Sequence, residues 1–163
     1  MVQIPTVLLV VTFITAWHAE CMSTFCEDLW SDTVGWKSIN DSLPSLNFNI
    51  THIVDYFVNC KAIDGIPNND FKSLNKKAYP LFKAGHLHSL SYKKYDSVLF
   101  VKCKCKAEMK KAQEYMMRAC IDDEGEILYA NCGCPAGTGP LCSCKHFGAL
   151  CYLIEESCRL KLT

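Results

Sequence analysis

The sequence predicts an α+β fold. A small antiparallel β-sheet of about four strands leads into a metal site and a C-terminal helix, behind a helical and irregular N-terminal region. Three observations predict it. Apolar residues repeat every two positions from residue 86 to residue 131. The repeat turns helical beyond Gly139 and Pro140. Between the two lies a run of cysteines ending in a histidine. At 163 residues and 18.4 kDa the chain has room for one modest domain with appendages. We divide it into a hydrophobic leader (1–19), an irregular and helical lead-in (20–84) and a metal-binding module (85–163).

Residues 1–19 hold no Asp, Glu, Lys or Arg, and Ile4 to Trp17 is apolar apart from three threonines. That run is short of the roughly 20 residues a membrane span needs. It suits the hydrophobic region of a secretory signal, although no basic residue precedes it and bulky side chains flank the small-residue cut sites. A signal or anchor and a buried helix both stay open. Residues 20–45 show no sustained period and read as a connector. Asn49 to Asn59 reads as a short helix, with Ile50, Ile53, Val54 and Phe57 at helical spacing and Asn49 as its cap. Gly65, Pro67, Asn68 and Asn69 break the chain. A second short helix is expected from Asp70 to about Lys83, interrupted near Pro80.

From Gly85 the period is two. His86–Tyr92 reads as the first strand and Ser97–Lys106 as the second, where Leu99, Val101, Cys103 and Cys105 alternate with Lys102, Lys104 and Lys106. The third, Gln113–Ile121, places Tyr115, Met117, Ala119 and Ile121 on one face. The turn Asp122-Asp123-Glu124-Gly125 returns the chain as Glu126–Asn131. Phe147, Leu150, Cys151, Ile154 and Cys158 then form one stripe of a helix over about 145–160.

Charge is balanced overall, at 17 basic and 17 acidic residues, but residues 83–118 carry nine basic against three acidic. Lys102, Lys104 and Lys106, extended by Lys110 and Lys111, make a candidate nucleic-acid contact, because phosphates ask only for Lys or Arg. An ordinary solvated sheet face is the plain alternative.

The 12 cysteines pose a choice between a disulfide scaffold and a metal site. Spacing favours metal. Cys132-Gly-Cys134 closes the last strand and Cys144-Lys-His146 opens the helix, with two glycines and two prolines between. Cysteines one residue apart are poor disulfide partners, and a disulfide cluster leaves the histidine unexplained. Zinc takes four such donors at tetrahedral corners, and their donor atoms are expected to converge to within about 4 Å.

This arrangement resembles the SWIM zinc finger: Cys-x-Cys, a variable loop, then Cys-x-His opening a helix. The resemblance covers residues 126–156 and includes Cys-Pro-Ala-Gly at 134–137 and Cys-Lys-His-x-x-Ala-Leu at 144–150. It implies Cys132, Cys134, Cys144 and His146 as ligands of one Zn2+, with Cys142 as the rival of Cys144. Residues 71–85 and the following strands also look like the lead-in of invertebrate mobile-element proteins in which a YqaJ-type viral recombinase nuclease follows the finger.

Other cysteines and histidines take plainer readings. Cys103, Cys105, Cys151 and Cys158 read as buried thiols, Cys60 and Cys120 are unassigned, and His86 and His88 read as surface or core histidines. Four protein ligands close a zinc site, and no nucleophile–base pair, phosphate-binding loop or nuclease pattern appears, so no catalysis is expected. The expectation is a zinc-binding recognition module for nucleic acid or protein, with no small-molecule substrate, intracellular and nuclear unless residues 1–19 direct secretion. The alternatives are a secreted disulfide-linked protein and a truncated accessory domain of a nuclease-containing element.

Overall fold

A computed structural model describes residues 29–38, 45–59, 74–108, 112–138 and 142–161. The expected leader, Cys60, Lys110 and Lys111 lie outside the described residues. The chain forms two compact units, Met1–Trp36 and Lys37–Thr163. In the first, a helical turn over 29–31 is followed by a loop in which the Asp32 carboxylate accepts from Val34 N at 2.9 Å. Trp36 Nε1 donates to Asp32 O at 2.7 Å, and the Trp30 and Trp36 rings stack 5.6 Å apart.

The second unit is α+β. Its sheet is an antiparallel meander of β1 (Lys37–Ser38), β2 (Leu87–Tyr95), β3 (Val98–Lys106), β4 (Glu114–Asp122) and β5 (Ile127–Cys132), paired in that order. The count is five rather than four. The added strand is two residues long, pairing Lys37 with Tyr92 and Ser38 with Ser91, too short to leave a period in the sequence. The other strands fall within three residues of their expected ends.

Alternation places the core. Leu99, Val101, Cys103 and Cys105 of β3, with Met117, Ala119 and Ile121 of β4, are all buried on one face. Three helical elements cover that face. The first, α1 (Ile50–Val54), continues as a wider π-wound turn over Asp55–Asn59. Asn49 caps it as expected: its Oδ1 accepts from Thr51 N at 2.9 Å, and its own N–H donates to His52 Nδ1 at 3.2 Å. The second, α2 (Tyr79–Lys83), is preceded by a π-wound stretch, Leu74–Ala78. Pro80 sits in the first turn of α2, where its missing N–H costs least. The expected interruption is thus a change of winding, not a break. The third, α3 (Lys145–Lys161), supplies Phe147, Leu150, Cys151, Ile154 and Cys158 to the core. Phe57 and Phe147 stack 6.1 Å apart between α1 and α3, each worth about 1.5–3 kcal/mol of burial.

Candidate metal centre

β5 ends at Cys132, which lies opposite Met117 of β4. Gly133 N–H donates to Met116 O at 3.0 Å, so the chain is still tied to β4 as it leaves the sheet. A 3-10 turn, Pro135–Gly137, then folds it back, closed by Gly137 N–H to Cys134 O at 2.9 Å. Only glycine fits at 137. A Cβ there would stand 2.5 Å from Cys132 Cβ and 2.9 Å from Cys132 O.

The other half of the centre is a helix start. Cys144 O accepts from Gly148 N at 3.1 Å, and Cys144 Sγ accepts from Phe147 N–H at 3.4 Å. The sulfur therefore does the work of an N-cap oxygen, at the positive end of α3. His146 lies in the first turn, its ring 4.9 Å from that of Tyr115 on β4.

These two halves bring Cys132, Cys134, Cys144 and His146 together. All four are buried, and one donor atom from each lies within 4.8 Å of the others. That limit is wider than the 4 Å expected. The tetrahedral sulfur–sulfur edge for zinc bonds of about 2.3 Å is about 3.8 Å, so sub-ångström movements of the side chains close the difference. Cys142 is outside this set, although it too is fully buried and its Sγ is 4.0 Å from Cys144 Sγ.

The electrostatics suit a cation. Cys132 and Cys142 share protons with the Cys144 sulfur, which holds Cys144 well below the ordinary thiol range. The same sharing, with burial, pushes Cys132 and Cys142 up. Burial first, and the Cys144 charge second, push Cys134 up. His146 Nδ1 is buried with no hydrogen-bond partner among the described residues. Three thiols and an imidazole are the donor types that borderline divalent ions take, so the residues present fit a metal ion.

The remaining cysteines behave otherwise. Burial raises the Cys103 thiol to about 12 and the Cys105 thiol to about 11. Both stay protonated at neutral pH, as the buried-thiol reading expects. Cys151 is also pushed up by burial. Cys103, Cys105, Cys132, Cys134, Cys142, Cys144 and Cys151 form no disulfide.

The basic face is less uniform than the alternation of β3 suggests. Lys102 and Lys104 are half-buried and Lys106 is exposed. On the same face Phe100 is buried opposite Cys120, and Lys102 lies opposite Arg118. Lys104 Nζ is 3.5 Å from Glu114 Oε2, and His88 Nε2 is 2.9 Å from Glu114 Oε1. Sequence reasoning did not foresee this acidic partner. Glu114 lies 26 positions from His88, and only the strand pairing brings them together. His86 precedes β2, its Nδ1 3.2 Å from Lys106 O, and His88 flanks a bulge in which Ser89 adopts φ 54°. Neither joins the metal cluster. Comparison with protein-family models, curated proteins and solved structures finds no match for this chain.

Proposed function

We propose that this chain carries a structural zinc module of the SWIM type, which presents a recognition surface and performs no catalysis of its own. One observation carries the reading: three cysteines and a histidine, all buried, converge from a strand end and a helix start. Four protein donors fill a tetrahedral ion and leave no position for water or substrate, unlike a catalytic zinc. The order Cys-x-Cys, loop, Cys-x-His, helix supports the SWIM assignment within metal modules. The reduced thiols around the site favour this reading over a disulfide-linked one.

The zinc would join β5 to α3. A structural zinc supplies roughly 10–16 kcal/mol of binding free energy at neutral pH, comparable to or larger than the whole stability of a small domain. Removing it with a chelator should therefore unfold the β4–β5 hairpin and α3 together, read as loss of both strand and helix signals in far-ultraviolet circular dichroism. An unchanged spectrum would sink the structural role.

The partner is nucleic acid or protein. Lys102, Lys104 and Lys106, at steps of about 7 Å along one side of β3, favour nucleic acid, since that approximates the phosphate spacing of an extended strand. The side chains of the Lys104–Glu114 pair are both substantially open to solvent, so the pair is worth at most about 1 kcal/mol, too little to prevent a phosphate contact. Replacing the three lysines with serine should flatten the dependence of log affinity on log salt by about three units. If the triple variant binds DNA and RNA as the parent does, this face is a solvated surface and the partner is sought elsewhere.

A further inference from the structure

Cys142 is left over by the four-ligand set, yet it borders that set. It is fully buried, and its sulfur is 4.0 Å from that of Cys144. Two thiolates on one tetrahedral zinc are about 3.8 Å apart. Cys142 and Cys144 thus already hold the separation of two corners. The sequence repeats the same local unit on both sides of the loop: Cys132-Gly-Cys134 and Cys142-Ser-Cys144. Cys144 belongs to both possible sets, pinned to the start of α3 by the Phe147 N–H.

We propose that Cys142 is an alternative fourth ligand, so that the centre closes either as Cys132, Cys134, Cys144 and His146 or as a four-thiolate site in which Cys142 takes the histidine's corner. The proposal rests on the metal-site reading above. In the exchange the His146 nitrogen leaves the metal as a neutral imidazole, and the Cys142 sulfur bonds to it as its proton passes to solvent. No electron is transferred. The four-thiolate form suits softer ions, because thiolate is the softest donor a protein offers. A site with both options would hold zinc through the imidazole and accept a softer ion such as cadmium through sulfur alone.

Cobalt(II) tests this in the full chain, since its visible spectrum reports tetrahedral geometry and its sulfur-to-cobalt charge-transfer band scales with the number of thiolates. The wild-type chain should give a tetrahedral three-thiolate spectrum. Its failure to bind cobalt would instead overturn the metal-site reading. His146→Ala should stay tetrahedral, with the charge-transfer band stronger by about one third as a fourth thiolate joins. Adding Cys142→Ser to that variant should remove the gain. A His146→Ala spectrum that Cys142→Ser leaves unchanged would overturn the proposal. If His146→Ala does not fold, the wild-type chain loaded with cadmium-113 decides. Scalar coupling from cadmium to the Cys142 β-protons supports the alternative ligand. Coupling confined to Cys132, Cys134, Cys144 and the His146 ring contradicts it.

Discussion

Gly137 decides how tightly the loop after Cys132 can fold back. A methyl group there would meet the Cβ and carbonyl of Cys132, not the far end of a flexible side chain, so no rotamer change relieves it. Gly133, between the two cysteines, is different: an added Cβ would come no closer than 3.7 Å to any neighbour. Gly137→Ala should therefore cost about 1–3 kcal/mol of stability and, by displacing Cys132 from Cys134, about tenfold or more in zinc affinity. Gly133→Ala should leave affinity within about twofold. Competition titration against a chromogenic chelator measures both, and equal losses would show that the loop tolerates a side chain at 137. At this scale much of the candidate site was legible. Cys132, Cys134, Cys144 and His146 could be picked out because their spacing is local to a strand end and a helix start. Cys144 is preferred to its rival Cys142 because it stands at Cys-x-His spacing from His146, and Cys144 is the one in the cluster. The contact of His88 with Glu114 depends on strand register, and that of His146 with Tyr115 on how α3 meets β4; neither leaves a local trace.

At the scale of elements, α3 lies against the π-wound stretch Leu74–Ala78 with no room to spare. A Cβ on Gly148 would stand 2.7 Å from Ala78 Cβ and 3.3 Å from Leu74 Cδ1. Gly to Ala inside a helix ordinarily gains about 1 kcal/mol. Here the steric term should win, because neither Cβ can rotate away. Gly148→Ala is expected to destabilise the chain by about 1–3 kcal/mol, and Ala78→Gly in the same chain to recover part of that loss. Urea denaturation of the two single variants and the double variant supplies the cycle, and strictly additive effects would contradict the contact. The four longer strands and the carboxy-terminal helix were legible because each keeps one period over six residues or more. β1 was not, since two residues cannot show alternation. Nor was the π winding before Pro80 and after Val54, because apolar spacing marks a buried face without fixing the turn that delivers it. The basic row was legible only as a pattern. Phe100 precedes it on β3 itself, and Glu114 meets it only through the pairing of β3 with β4.

For the molecule as a whole, the candidate centre sits where the sheet ends and its covering helix begins. A cation there would fasten the two layers of the fold at one point, while Phe57, Phe147 and the β3 and β4 side chains fasten them along their length. The fold class could be read from the change of period, but the closure of the layers could not, because it depends on α1 and α2 returning over the same sheet face. In the proposed centre, three sulfurs and one imidazole nitrogen from this junction hold a single zinc ion. X-ray absorption at the zinc edge of the purified full chain tests it most directly. The spectrum should fit three sulfur neighbours at about 2.3 Å and one nitrogen at about 2.0 Å, with outer-shell scattering from the His146 ring. An oxygen-rich or six-coordinate shell, or a chain that retains no zinc, would contradict the claim.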